Sequence, residues 1–287
     1  MRSAITLMLL AWGTAMGQTR AVVLAPVANL YSSASTDADV VSQARYGMTV
    51  AVTQQQEGWL RVKTPGDDYD GWMEAGGLRR LNEGESYATA GKVATVEAMF
   101  AHIYREASVT KHRPVVTVPF ETRLEVLSEP ETESRRWLQV RLPDDRMGYV
   151  QRGDIAFDQP ARDVPQLIEL SKRFLGLPYT WGGTSSFGYD CSGFAQMLVR
   201  NGGVSMPRDA KPQALWNRMQ VVERAALRPG DLLYFGPSVE KINHTGFYIG
   251  NGQFIHSTTN THPVVQISVL DDQPWTKILV ACRRWKQ

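Results

Sequence analysis

One cysteine and two later histidines are the residues of this sequence with the clearest chemical potential. Cys191 lies in the run Asp-Cys-Ser-Gly-Phe; His244 follows it by 53 residues, and His256 follows after a further 12. A thiolate is a strong nucleophile, but a thiol needs a base to form it at neutral pH. An imidazole is suited to that role, and a further polar group must fix its tautomer. The pattern predicts a cysteine peptidase with Cys191 as nucleophile, His244 as general base and His256 as the group that orients His244.

The predicted elements would bring these side chains together. A helix is expected to begin at Cys191, where unpaired backbone N–H groups and the helix dipole favour negative charge and can bind an oxyanion. His244 and His256 are predicted on two strands joined by the tight turn Gly250-Asn251-Gly252, so their rings would lie side by side. Tyr179 lies 12 residues before the cysteine. Its hydroxyl could support the oxyanion or the thiolate, or the ring could only anchor a loop by packing.

Two other uses of these residues stay open on residue type alone. Cys191 and Cys282 are the only two cysteines of the sequence and could form a disulfide in an exported protein. Cys282 lies in an apolar, strand-like run, which favours a small buried thiol instead. Cys191, His244 and His256 could together bind zinc. The closely paired ligands typical of zinc sites are absent from the sequence, so we expect no metal and no other cofactor.

Residues 1–17 have the pattern of a secretory signal peptide. Arg2 precedes an apolar run at 4–12, and a small-residue cleavage site follows at 15–17. The run is too short to span a bilayer, so we expect an exported chain, periplasmic, secreted or in the cell wall, with no membrane attachment after signal removal. The formal net charge of +2 gives no indication of nucleic-acid binding.

An internal repeat occupies the N-terminal half. Three motifs recur in the same order, at offsets of 73, 78 and 77 residues, so one copy should carry a short insertion near Glu129 to Ser134. Short alternating runs separated by turn residues predict two small antiparallel β-barrels, over 18–82 and 83–158. The matched motifs are Leu30-Tyr31 with Ile103-Tyr104, Trp59-Leu60-Arg61-Val62 with Trp137-Leu138-Gln139-Val140, and Gly71-Trp72-Met73 with Gly148-Tyr149-Val150.

The order of these motifs resembles the bacterial SH3-like domain. That resemblance implies binding to the cell wall or positioning of a partner, while a β domain without a ligand is the alternative. Residues 163–287 are predicted to be α+β. A helix capped by Asp163 is expected to stop at Gly176, and a second should run from Cys191 to Gly202-Gly203. A run of strands after residue 229 then predicts helices packed on an antiparallel sheet.

Five motifs within 163–287 resemble the NlpC family of papain-like cell-wall cysteine peptidases. The resemblance implies cleavage of the peptidoglycan stem peptide between γ-D-glutamate and a diamino acid. It implies the same roles for Cys191, His244 and His256, and an oxyanion-assisting role for Tyr179. The motifs are Pro178-Tyr179-x-Trp181-Gly182-Gly183, Asp190-Cys191-Ser192-Gly193-Phe194, Arg228-Pro229-Gly230-Asp231-Leu232, His244-Thr245-Gly246 and Phe254-Ile255-His256-Ser257.

Two SH3-like domains ahead of such a peptidase are similar to enzymes that act on wall fragments with a free N-terminal L-alanine. In these relatives the first SH3-like domain closes one end of the cleft, and the acidic residue before the cysteine, here Asp190, helps bind the substrate amine. Ser192 is expected to orient its backbone or to hydrogen-bond the substrate. Asp209 is a further candidate contact, followed by Ala210 where the family often has Ser or Thr. Tyr69 is the candidate cleft residue of the first barrel, with a solvated acidic loop as the alternative.

The expected partner of the chain is therefore a peptidoglycan stem peptide or muropeptide, bound by a monomer. Two other functions stay open. The chain could be a wall-binding protein with an inactive or secondary peptidase domain. It could also use the same machinery as an acyl transferase or an amidase at another wall bond.

Overall fold

The computed structural model describes residues 19–128 and 135–286. The predicted signal peptide and the predicted insertion near Glu129 to Ser134 lie outside the described residues. Within the described ranges, no helix is long and apolar enough to cross a bilayer. We call residues 20–80 the first β-unit, residues 93–156 the second β-unit and residues 164–285 the C-terminal unit.

The first β-unit is an antiparallel sheet of seven strands among the described residues. Its strands alternate apolar and polar residues, and the apolar face forms a small core that includes Leu30, Leu60 and Met73. The strands are β1 (Arg20–Val23), β2 (Val27–Tyr31), β3 (Val40–Arg45), β4 (Thr49–Gln56), β5 (Trp59–Lys63), β6 (Asp70–Glu74) and β7 (Leu78–Arg80). Their spatial order is β3-β2-β6-β5-β4-β1-β7.

The second β-unit repeats this arrangement position by position. Its strands are β8 (Val93–Val96), β9 (Phe100–Tyr104), β10 (Val116–Pro119), β11 (Arg123–Ser128), β12 (Trp137–Arg141), β13 (Met147–Gln151) and β14 (Ile155–Ala156). The order is β10-β9-β13-β12-β11-β8-β14. Tyr31 and Trp59 pack edge to face with ring centroids 5.5 Å apart, and Tyr104 and Trp137 do the same at 5.4 Å. The sequence repeat thus corresponds to a repeated strand order.

The C-terminal unit packs helices against a sheet of order β17-β22-β18-β19-β20-β21. Its helices are α1 (Val164–Lys172), α2 (Cys191–Asn201), α3 (Ala210–Ala214) and α4 (Trp275–Ile278). Its strands are β15 (Thr184–Ser185), β16 (Gly188–Tyr189), β17 (Met219–Val221), β18 (Leu232–Phe235), β19 (His244–Gly250), β20 (Gln253–Thr258), β21 (Val264–Val269) and β22 (Leu279–Trp285). Helices α3 and α4 and strands β15, β16 and β17 were not predicted, because elements of two to five residues carry too little periodicity.

The two longer helices begin where the sequence predicts. The Asp163 side chain accepts a hydrogen bond from the backbone of Gln166, whose side chain accepts one from the Asp163 N–H in return, so α1 starts with a complete capping box. Helix α2 is buried from its first residue, Cys191, through Val199. Its apolar residues share one core with the sheet residues Phe247 and Ile255. The helix that carries the cysteine is therefore buried around most of its length.

Candidate active site

Cys191 is the first residue of α2, and its side chain lies at the edge of the core. Asp190 caps the helix by accepting a hydrogen bond from the Gly193 N–H at 2.7 Å. Cys191 is 9 % exposed, and both it and Cys282 are free thiols, so the alternative disulfide is not formed. Burial, and then the negative charge of Asp190, raise the pKa of Cys191 to about 12. The backbone of Thr245 and of Ser192 lowers this pKa by smaller amounts. The resting sulfur is therefore a protonated thiol.

The two histidines lie side by side on β19 and β20, which confirms the predicted juxtaposition. His244 Nε2 and His256 Nδ1 are 2.7 Å apart, and His256 Nε2 is 3.0 Å from the Ser268 hydroxyl. A hydrogen-bonded row of Ser268, His256 and His244 results, which leaves Nδ1 of His244 for proton transfer. Ser268 was not predicted, because its place opposite β20 follows from the register of β21 and from no local motif.

Aromatic side chains surround this histidine pair. Trp275 stacks on His244 with centroids 5.3 Å apart, and Phe254 lies 4.6 Å from the His256 ring. Burial lowers the pKa of His244 to about 4 and that of His256 well below its ordinary value. Two nitrogens on one tetrahedral zinc ion would lie about 3.3 Å apart, so the 2.7 Å contact indicates a shared proton and not a shared metal.

The neutral His244 gives a prediction for the pH profile. A base works only while it is unprotonated, so the acid limb of kcat/KM should lie below about pH 5 and not near 6.5. Steady-state rates from pH 3.5 to 8 on a stem peptide would measure it, and an acid limb at 6.5 or above would contradict the role of this buried imidazole. Circular dichroism at each pH is the control. Since both folded-state pKa values are lowered, stability should be lost as pH falls below 6.5 towards 4.

A cleft of about 340 Å³ opens at Cys191, and residues from two units line it. Tyr179, Asp190, Ser192 and Asp209 of the C-terminal unit line it together with Cys191. The first β-unit contributes Asp39, Val40, Val41 and Tyr69. The cleft thus contains all the predicted site residues apart from the two histidines. Asp39 and the two valines were missed, because their contact with the cleft depends on the packing of distant segments.

Arg208 neutralises the carboxylate that precedes the nucleophile. Its side chain is 1 % exposed, and its guanidinium donates to both oxygens of Asp190, at 3.0 and 2.5 Å. It also donates to the hydroxyls of Ser192 at 2.8 Å and Ser42 at 3.2 Å. This role of Arg208 was not predicted, since an arginine is usually exposed.

Tyr69 reaches the cleft from the first β-unit and meets Asp209. Its hydroxyl donates to Asp209 Oδ2 at 3.3 Å. Burial, and then the charge of Asp209, raise the pKa of Tyr69 to about 12, so this hydroxyl keeps its proton at neutral pH. The adjacent Asp67 accepts a hydrogen bond from Gln196 of α2 at 2.9 Å. The alternative of a solvated acidic loop is therefore wrong, because the loop packs on the helix of the nucleophile.

The loop before Cys191 brings a hydroxyl and a close contact to the same cleft. Burial, and then the charges of Cys191 and Asp190, raise the pKa of Tyr179, so its phenol remains a hydrogen-bond donor. Gly182 has a φ of +72°, and a Cβ atom there would lie 2.8 Å from Val40 Cγ1 and 3.0 Å from the Val40 carbonyl oxygen. The loop and β3 of the first β-unit therefore meet without room for another side chain.

Comparison with known proteins gives matches to both parts of the chain. The profile of the NlpC/P60 family matches residues 176–284, and that of the bacterial SH3 domain matches residues 26–79. A γ-D-glutamyl-L-lysine dipeptidyl-peptidase of Bacillus cereus is 34 % identical over 75 % of this chain and 66 % of its own length. One of Bacillus subtilis is 30 % identical over 87 % of this chain and 82 % of its own. A crystal structure of an NlpC/P60 family protein from Bacillus cereus superposes with a TM-score of 0.79 and 26 % identity, over 93 % of this chain and 99 % of that one.

Proposed function

Because the chain belongs to the NlpC/P60 family of cysteine peptidases, we propose that it hydrolyses peptidoglycan stem peptides at the bond between γ-D-glutamate and a diamino acid. The observation that carries the proposal is the composite cleft, in which Tyr69 of the first β-unit and Asp209 meet beside Cys191. Two similar proteins are named γ-D-glutamyl-L-lysine dipeptidyl-peptidases, which supports the same bond here.

The proposed reaction starts from a neutral thiol and a neutral imidazole. Sγ of Cys191 attacks the γ-D-glutamyl carbonyl while His244 takes the thiol proton, and the His256–Ser268 row orients the resulting imidazolium. Backbone N–H groups at the start of α2 and the Tyr179 hydroxyl donate to the oxyanion. His244 then protonates the leaving amine as the C–N bond breaks. Water, activated by the same imidazole, attacks the thioester and releases the γ-glutamyl acid and the free thiol.

The lining of the cleft supports a substrate with a free N-terminal L-alanine. The first β-unit lines one part of the cleft, where we propose that it limits the length of the bound peptide, and Asp39, Asp190 and Asp209 are acidic residues of the lining. Arg208 already pairs with Asp190, so Asp190 alone offers the substrate ammonium only part of its charge. We therefore assign the ammonium to Asp190 and Asp209 together. Tyr69 holds Asp209 in place through its hydrogen bond. Ser192 would contact the substrate through its backbone, because its hydroxyl is already bonded to Arg208 and Asp190.

The free amine gives a direct test with defined peptides. We expect L-Ala-γ-D-Glu-diamino acid to be cleaved with a kcat/KM about 10- to 100-fold higher than its N-acetylated form, the effect of losing one charged hydrogen bond. Asp209→Asn should remove most of that preference, and Asp37→Asn, at an exposed position of the first β-unit, should leave it intact. Mass spectrometry of the products measures both the rate and the bond.

Other outcomes of this experiment would contradict the proposal. Equal turnover of free and acetylated peptides would refute the ammonium site. Products cut at another wall bond would favour an amidase or transferase. Strong sedimentation with insoluble wall, without any cleavage, would favour a wall-binding protein.

The second β-unit is proposed to be a further SH3-like domain with a structural role. Its strand order matches that of the first β-unit, and it packs on the C-terminal unit. The Phe120 N–H donates to the Ser186 hydroxyl at 2.9 Å, and the Phe120 ring joins the core around Phe174. We further propose export through a signal peptide at residues 1–17, domains at 18–82, 83–158 and 163–287, and action as a monomer in the periplasm or outside the cell.

A further inference from the structure

A second cavity lies where the two β-units and the C-terminal unit meet. Its volume is about 390 Å³, and it shares no lining residue with the cleft at Cys191. Four arginines line it, namely Arg45, Arg123, Arg162 and Arg200, and Glu121 is the one acidic residue among its described lining residues. We call this cavity the junction pocket. Its lining carries a clear excess of positive charge.

The four cations share only two carboxylates, those of Glu121 and Glu97. Arg200 donates to both oxygens of Glu121, at 2.9 and 2.6 Å, and Arg162 pairs with Glu97 at 2.8 Å. Arg45 forms a longer ion pair with Glu121, at 3.7 Å, and shares that carboxylate with Arg200. Arg123 has no ion pair within 4.0 Å among the residues that the structure describes. The charge of Arg123 is therefore unpaired, and that of Arg45 is only partly compensated.

Arg45 is a largely buried cation whose two polar contacts are both long. Its side chain is 12 % exposed, and besides Glu121 its contact is a 3.4 Å hydrogen bond to the Thr184 carbonyl. A guanidinium carries five N–H donors, and removing it from water is unfavourable unless acceptors replace the water. The loss of contact with water also lowers the pKa of Arg45. An anion in the junction pocket would supply the missing acceptors.

The geometry points to a phosphate-type oxyanion. We propose that the junction pocket binds a phosphate group through Arg45 and Arg123. These two cations line the same cavity from different β-units, so one ligand in it could accept hydrogen bonds from both. A tetrahedral dianion presents oxygens in several directions, whereas a planar carboxylate suits a single guanidinium fork. The volume exceeds that of inorganic phosphate, so a phosphate ester or a phosphodiester also fits.

Phosphate binding would connect all three units. Arg45 ends β3, Arg123 begins β11 and Arg200 lies in the last turn of α2. Strand β3 also meets the loop before Cys191, where the Thr184 N–H and hydroxyl donate to the side-chain and backbone oxygens of Gln43, both at 3.1 Å. A ligand that binds the folded protein and not the unfolded chain stabilises the folded state by mass action. The site therefore predicts an increase in thermal stability with phosphate.

The test compares sodium phosphate with sodium chloride at matched ionic strength, on the full chain. Saturating phosphate should raise Tm by about 4 °C over chloride. Arg123→Gln removes an exposed cation without breaking an ion pair, and it should weaken phosphate binding at least about 10-fold by isothermal titration. Arg113→Gln, at an exposed position outside the pocket, is the matched control and should bind phosphate like the wild type.

Parallel titrations with different phosphate compounds would show which kind of phosphate the junction pocket binds. Glycerol phosphate represents a small monoester, and poly(glycerol phosphate) represents a wall polymer. Binding of any of these anions that is weakened in Arg123→Gln supports the site and identifies its source. The proposal is overturned if none binds, or if Arg123→Gln binds as tightly as the wild type. Peptidase activity of Arg123→Gln equal to that of the wild type would show that the variant is folded.

Discussion

Replacing Cys191 with alanine is expected to lower kcat/KM on L-Ala-γ-D-Glu-diamino acid by about 10⁴-fold or more. The proposed mechanism forms a thioester on this sulfur, so removing the sulfur removes the covalent intermediate. Cys191→Ser should be nearly as inactive, because a hydroxyl is a far poorer nucleophile beside the same buried imidazole. Product release measured by mass spectrometry over a long incubation gives the residual rate.

Cys282 provides the matched control for this prediction. It is a free, buried thiol on β22 and belongs to a different core cluster from α2. Cys282→Ala should keep full activity per folded molecule, and it should lose only the stability expected of a small cavity. Turnover by Cys191→Ala above about 1 % of wild type, or inactivity of a folded Cys282→Ala protein, would show that the nucleophile has been misassigned.

The second large effect concerns stability. Arg208→Met should reduce the free energy of unfolding by about 3–5 kcal/mol, since it leaves the carboxylate of Asp190 buried without its cation. The same substitution also removes hydrogen bonds to Ser42 and Ser192, so contact between the first β-unit and the active site should weaken. Urea unfolding followed by circular dichroism measures the loss.

A double substitution separates the charge from the packing. Asp190→Asn removes the orphaned charge, so Asp190→Asn with Arg208→Met should be less destabilised than the sum of the two single variants by more than about 1 kcal/mol. Arg146→Met, at an exposed arginine of the second β-unit, should change stability by less than about 0.5 kcal/mol. A loss below about 1 kcal/mol for Arg208→Met, or strict additivity, would mean that this ion pair is not needed for folding.

The features that could be predicted from the sequence are those that residues close together in the chain determine. The start of α1 follows from the Asp163 capping box, and the start of α2 at Cys191 follows from the turn residues before it. The pairing of His244 with His256 follows from two strands joined by a short glycine-containing turn. In each case the signal lies within about 15 residues of the feature, so local propensity and alternation are enough.

Features that depend on contacts between distant segments could not be predicted in the same way. Ser268 and Trp275 reach the histidines through the register of β21 and the path of the chain after it. Arg208 is buried between segments far apart in the chain, with Ser42 of the first β-unit on one side and Asp190 on the other. Asp39 joins the cleft from a loop whose sequence resembles any polar surface loop. Their roles arise from tertiary packing, which overrides the usual exposure of these residue types.

The contact between Gly182 and Val40 has a consequence for how such a protein can be recombined. A chimaera that grafts the C-terminal unit onto an unrelated N-terminal half would lose the strand edge against which the loop before Cys191 is fitted. Any incoming half with a bulkier edge there would push that loop away from its position. The two segments therefore have to be inherited as a pair, even though 142 residues separate them along the chain.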